Sequence, residues 1–362
     1  MLTKRTLLLI LLAILFMSIS AQDNATLEAN VFRGNAIPHD NTLHHLTTGI
    51  PKGFILSWNK HTNGEKTWQA RFNYPDIGLS ILYQDYDNSL LGYNASLNGH
   101  YNFYFFKRHL LLRVGQGIGW SSRPFDRETN PKNIAISTHI TSSTYLMLNY
   151  KKRKLLDNIG FQTGLTFTHN SLGSIKAPNK GINSVLFNFG LFYDLSAHKR
   201  EFIPLKEKPL LDKKVRYNFV LRGGINEYDV VGSGQFPFFV FSGYVDKQLT
   251  HVSGLQLGAD LFLSYFLKER IEYEALLEES RTDADTDFKR ASIFAGHELY
   301  INKLSVISQV GYYIYNPFEF AEPYYFRIGM KYYFSKSIFG ALTLKTHVAD
   351  AEALEFGLGI RL

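Results

Sequence analysis

The 362-residue chain contains no cysteine. That excludes a disulfide scaffold, a thiol nucleophile and any zinc or iron–sulfur site built on thiolates. It also lacks a phosphate loop and a dinucleotide fingerprint, so no cofactor is implied. Beyond the N-terminus, no apolar run approaches the ~20 residues that a spanning helix needs. Hydrophobic residues nevertheless make up 45% of the chain, too many for a mainly disordered protein. The mean hydropathy of −0.13 matches a soluble protein. A transmembrane barrel has a similar average, because half of each strand faces a polar lumen.

The N-terminus points to export. Lys4 and Arg5 precede an apolar run from Leu7 to Met17, with small residues at Ser18, Ser20 and Ala21 and then polar Gln22-Asp23-Asn24. This is the pattern of a signal peptide spanning residues 1–21, and its apolar run is too short for a membrane anchor. Cleavage removes Lys4 and Arg5 and lowers the net charge from +7 to +5. A mild basic excess suits a neighbour rich in anionic headgroups, and export argues against nucleic acid as a partner.

Strict alternation runs through the rest of the chain, the mark of strands with one apolar face. Near the C-terminus Leu354, Phe356, Leu358, Ile360 and Leu362 share one face, while Glu355, Gly357, Gly359 and Arg361 share the other. Leu255, Leu257, Ala259, Leu261 and Leu263 alternate with Gln256, Gly258, Asp260, Phe262 and Ser264. Aromatic residues cluster at strand ends, as at Tyr101 to Phe106, Phe236 to Phe241 and Tyr332 to Phe334. Strands of about ten residues with aromatic ends predict an all-β fold, a transmembrane antiparallel barrel of the outer-membrane type.

Short connections at Lys107-Arg108, Asn302-Lys303 and Ser335-Lys336 alternate with long ones at 121–137, 170–181 and 267–286. From residue 53 onward this predicts about sixteen strands, with short turns in the periplasm and long loops outside. Residues 22–52 form an N-terminal segment, either a further strand pair or a peripheral piece. Residues 53–195 and 215–362 hold the two strand groups. The basic connector Ser196 to Lys214 between them is a long periplasmic turn in one barrel or a linker between two eight-stranded units. We favour one barrel, because two apolar cylinders need twice the closure.

The stretch from Phe167 to Asn183 carries chemistry. Phe161, Leu165 and Phe167 mark the lipid-facing parity of an upward strand, and His169 and Ser171 share it. Val185, Phe187, Phe189 and Leu191 mark the same face of the next strand, and Asn183 shares theirs. Three polar side chains therefore converge on the outer wall at the extracellular rim, where polar groups need an explanation. A serine hydroxyl becomes a nucleophile when a histidine takes its proton, and an asparagine amide can stabilise an oxyanion. At that rim the expected activity is an esterase acting on a membrane lipid.

The segment from His169 to Asn183 resembles the catalytic segment of the PagL-like lipid A 3-O-deacylases, whose pattern is H-x-S-N followed by P-N-x-G-I-E. This chain has His169-Asn170-Ser171, Pro178-Asn179 and Gly181-Ile182. The pieces Trp58-Asn59-Lys60, Asn73-Tyr74-Pro75-Asp76 and Lys345-Thr346-His347 look like those of larger acyloxyacyl hydrolase-type proteins. The resemblance implies an outer-membrane hydrolase that removes a 3-hydroxyacyl chain from lipid A of lipopolysaccharide. Ser171 would be the nucleophile, His169 the base, and Asn179 part of the oxyanion hole. Two positions depart from the pattern: Leu172 replaces an asparagine, and Asn183 replaces the acid that orients the histidine. An asparagine can hold the imidazole tautomer, but it cannot stabilise imidazolium as a carboxylate does.

Other polar groups read as structural. By parity Lys345 and His347 point into the lumen, where they are expected to form one charge network with Glu355 and Arg361. His39, His44 and His45 near Asp40 fit no compact metal site and read as a solvated loop. Glu272, Glu274, Glu278, Glu279, Asp283, Asp285 and Asp287 read as an acidic extracellular loop. The competing functional class is a transport or structural barrel that keeps the scaffold without the chemistry.

Overall fold

The computed structural model describes residues 24–362 apart from 197–199, 206–210, 212–213, 228–230, 278–281 and 349. The signal-peptide expectation for residues 1–21 lies outside the described residues. Among the described residues sixteen strands are present, the first of them within residues 22–52 rather than all from residue 53 onward, and they do not share one cylinder. The first eight are β1 (Ala25–Ile37), β2 (Lys52–Lys60), β3 (Asp76–Asp85), β4 (Tyr93–Phe105), β5 (Leu110–Ser121), β6 (Ile140–Leu156), β7 (Ile159–Ser171) and β8 (Ile182–Asp194). They close as one antiparallel barrel when β8 pairs back onto β1, with Asn183 opposite Ile37.

The second eight are β9 (Val215–Glu227), β10 (Gln235–Gln248), β11 (Ser253–Ser264), β12 (Arg290–Tyr300), β13 (Leu304–Tyr315), β14 (Tyr324–Tyr333), β15 (Ile338–His347) and β16 (Asp350–Arg361). This barrel closes by pairing β16 with β9, with Leu358 opposite Leu221. Of the two arrangements open from the sequence, the chain takes two eight-stranded units rather than the single barrel favoured above.

The interiors give the physical reason. An eight-stranded barrel is just wide enough to be filled by side chains. In the first barrel Glu28 accepts from Arg113 and Lys151 at 2.5 Å each, and Arg113 also donates to Ser57 and Asn102. In the second, Arg327 lies 2.7 Å from both Asp260 and Glu355, and Lys331 lies 2.9 Å from Glu298. These charges are buried and paired, which a wide aqueous lumen would not provide. Outward residues are the opposite class: Val31, Leu97, Ile118, Phe187, Leu257, Ile314 and Leu358 are exposed apolar side chains on the lipid-facing wall.

Two further expectations change in detail. Lys345 and His347 do face the second lumen, but their shared partner is Glu352, at 2.7 and 3.2 Å. Arg361 instead pairs with Asp246 at 2.8 Å, near the opposite end of the barrel. Residues expected as an acidic loop begin as a helix, α2 (Tyr265–Ala275), after the short α1 (Thr67–Arg71) in the β2–β3 connection. Glu272 and Glu274 sit four residues after Lys268 and Arg270 and pair with them, a helical spacing that outweighs the loop pattern. Glu278 and Glu279 lie outside the described residues.

The β1–β2, β5–β6, β7–β8 and β11–β12 connections share one end of the molecule, where the loop between β7 and β8 joins the two barrels, and the long β2–β3 connection lies at the other. Glu227 of β9 donates its backbone N–H to the Ser174 carbonyl at 2.8 Å. Its carboxylate accepts from the Ala177 N–H at 3.1 Å and from the Gly232 N–H at 2.7 Å. Ser174 Oγ donates to the Glu352 carbonyl, and Gln235 donates to the Ile175 carbonyl at 2.7 Å. At the opposite end the connector packs under the first barrel. There Ile203 N–H bonds the Asn63 carbonyl at 2.7 Å, and the Tyr74 and Phe202 rings lie 4.5 Å apart.

Candidate active site

His169 and Ser171 occupy the last turn-ward positions of β7 on its outward face, alternating with the buried, lumen-facing Thr168 and Asn170. Asn183 stands directly opposite His169 in the β7–β8 ladder. The side chains meet across it: Nδ1 of His169 lies 2.6 Å from Oδ1 of Asn183. With Nδ1–H donating to that oxygen, Nε2 carries the free lone pair a general base needs. The other end of the Asn183 amide faces Nδ1 of His39 at 3.2 Å. The two imidazoles thus take opposite ends of one amide.

Ser171 is almost fully buried. Its Oγ accepts from the Gly173 N–H at 3.0 Å and from Nδ2 of Asn179 at 3.0 Å. Asn179 Nδ2 also donates to the Gly173 carbonyl, which fixes the amide against the turn after the serine. Among the described residues no hydrogen bond joins Ser171 Oγ to the His169 ring. Such bonds are often formed only when substrate is bound. The two donors on Oγ leave its own proton available for that step.

Gly181 sits against both side chains. At φ +76° it occupies the left-handed region. A Cβ there would lie 2.9 Å from Cε1 of His169 and 3.1 Å from Cβ of Ser171. The loop is pinned from outside as well: Gly181 N–H bonds the Ala135 carbonyl at 2.8 Å, and Lys180 Nζ reaches Asp40 at 2.6 Å. Hydrogen bonds from Lys180 and Thr42 hold the Asp40 carboxyl well below the usual aspartate range.

The sequence pattern thus brings His169, Ser171, Asn179 and Asn183 to one place. It leaves His39, Gly173 and Glu227 unmarked and gives no role to Gly181, which the motif includes. His39 had the appearance of a solvated loop residue. Gly173 and Gly181 act through backbone position, which side-chain alternation does not record. Glu227 comes from the other barrel. Nor is the site an open outer wall: it lies in a cavity of about 330 Å³ whose far side is Leu344, Thr346 and Ala351 of the second barrel. Among the described residues no three metal-ligating side chains gather around a point.

Residues 52–192 match the family described as lipid A 3-O-deacylase (PagL), and residues 215–362 match the domain described as acyloxyacyl hydrolase, C-terminal domain. The chain belongs to this deacylase and acyloxyacyl hydrolase family. The two matches fall on the two barrels, with β1 lying ahead of the first. No curated protein matches the chain. Among solved structures, a mutant Rh. blastica porin aligns over 93% of this chain and 100% of its own, at 8% identity and a TM-score of 0.19. A BenF-like porin from Pseudomonas fluorescens Pf-5 aligns over 94% and 97%, at 11% identity and a TM-score of 0.24. Scores that low carry no argument about this chain.

Proposed function

We propose that this protein is an outer-membrane ester hydrolase that removes an ester-linked 3-hydroxyacyl chain from lipid A. Ser171 Oγ attacks the ester carbonyl while Nε2 of His169 takes its proton. The oxyanion is held by Asn179 Nδ2 and the Gly173 N–H, the two donors that now converge on Oγ. His169 then delivers the proton to the sugar oxygen as the carbon–oxygen bond breaks. Water, deprotonated by the same imidazole, releases the hydroxy fatty acid and restores Ser171. Asn183 keeps Nδ1 protonated and the ring oriented throughout.

The observation that carries this reading is the His169–Asn183 bond on the outward face beside a serine with two donors on its oxygen. A site on the outward face at the rim, walled on its far side by the second barrel, suits a membrane-lipid ester and membership of a lipid A deacylase family. The transport alternative loses support from the filled, ion-paired interiors of both barrels. The test is release of hydroxy fatty acid by the purified protein from lipid A and, separately, from phospholipid. Release from lipid A by wild type but not by Ser171→Ala supports the reading. Release from phospholipid alone would change the substrate class, and release from neither would overturn it.

A further inference from the structure

Resting on the esterase reading, we propose that the second barrel is the acyl-chain site of the enzyme, with its β15–β16 wall receiving the chain whose carbonyl sits at Ser171. On a lone barrel an outward residue at the end of β7 would face lipid. Here Ser171 is buried, and the loop after it rests on the neighbouring barrel. A Cβ on Gly173 would lie 3.4 Å from Leu344 Cδ1 and 3.6 Å from Leu354 Cβ. Leu344 therefore stands at the junction between the serine and the second wall, and it lines the cavity that contains Ser171 and His169.

From that junction an apolar track descends. The outward partners across the β15–β16 ladder are Leu344 with Leu354, Leu342 with Phe356, and Gly340 with Leu358. On the next strand Gly223 pairs with Phe356 and Leu221 with Leu358. A second cleft, of about 710 Å³, begins at Leu342 and Phe356 and includes Gly340 and Gly223, which present no side chain to it. Four residues of extended strand separate Leu344 from Gly340, a length of about 14 Å. The outward positions along this track carry no charge, and the track starts at the reacting serine, so it fits one occupant: the hydrocarbon tail of the scissile ester. The rim of the cavity, with Lys176 and Asp350, is polar and leaves the headgroup above.

Filling the track must therefore shorten the preferred chain. The experiment compares wild type with Leu344→Trp and Gly340→Trp, using the purified full-length protein and hydroxyacyl ester substrates of graded chain length. Leu257→Trp, on the exposed outer face of β11, is the control. The ratio of kcat/KM for long over short chains should fall about tenfold or more in the two track variants and stay at the wild-type value in the control. Folding is checked by heat-modifiable gel mobility. Leu342→Trp supplies a second readout: a brominated long-chain hydroxyacyl ester should quench it saturably, and an unlabelled ester should compete. Folded track variants that keep the wild-type ratio would overturn the proposal and leave the esterase reading standing. Saturable quenching without any hydrolysis would uphold the acyl site and overturn the esterase reading. Unsaturable quenching, the same as at Leu257→Trp, would make the track ordinary lipid-facing wall.

Discussion

Oδ1 of Asn183 lies 2.6 Å from Nδ1 of His169, in the position where the family pattern places an acid. In the proposed mechanism the amide would do half of a carboxylate's work, fixing the tautomer and orientation of the ring but supplying no negative charge to the imidazolium formed during attack. Asn183→Asp should therefore raise kcat, by about tenfold or more, whereas Asn183→Leu should lower it by about a hundredfold. Steady-state release of hydroxy fatty acid measures both. An unchanged rate in Asn183→Asp would mean that another group already stabilises the charged ring.

Gly181 lies against His169 and Ser171, the two side chains of the proposed reaction, without contributing one of its own. In Gly181→Ala the added methyl would press on both His169 and Ser171, and the residue would have to hold a left-handed backbone. The expected result is a fall in kcat of about a hundredfold, with gel mobility still that of the closed barrels. A rate within twofold of wild type would show that the loop relaxes away from the site.

In the first barrel both Arg113 and Lys151 bond the Glu28 carboxylate, and all three are buried. Glu28→Gln leaves two cations without a counter-charge and should destabilise the barrel by about 3–5 kcal/mol. Urea unfolding in lipid vesicles, followed by tryptophan fluorescence, reads the loss directly. The substitution is far from the rim, so residual folded protein should retain its specific activity.

Asp40 and Lys180 tie the β7–β8 loop to the segment after β1. The Asp40 carboxyl is held below its ordinary range, so the pair contributes above the unfolded aspartate value and is lost only as pH falls through the lower, folded value. Amide exchange in the 172–181 loop should thus stay slow from neutral pH down to about pH 4, the ordinary aspartate range. In Asp40→Asn the same amides should exchange faster at neutral pH. Equal exchange in both proteins would assign the order of the loop to its backbone bonds with Ile134 and Ala135 instead.

Period two made the site residues readable. Alternation says which face a strand residue takes, and it puts His169, Ser171 and Asn183 outward. It says nothing about which strand bonds to which. β8 pairs with β1 rather than β9, and that choice, set by how large lumen side chains such as Arg113 and Arg327 fill a narrow cylinder, is invisible in the apolar pattern. For the same reason the sequence did not bring Glu227 or Leu344 to the catalytic cavity. Their contribution depends on the side-by-side contact of two closed barrels, where the Glu227 carboxylate meets the backbone N–H of Ala177 and Leu344 lies beside Gly173. His39 was hidden differently: its partner is a single amide across the barrel seam, with no spacing to betray it.

The most direct test of the central claim is mass spectrometry of lipid A from cells expressing wild type, Ser171→Ala or His169→Ala, each confirmed as folded in the outer membrane. Lipid A should be lighter by one hydroxyacyl group with wild type and intact with either variant. Intact lipid A in all three, or the same loss in all three, would contradict it.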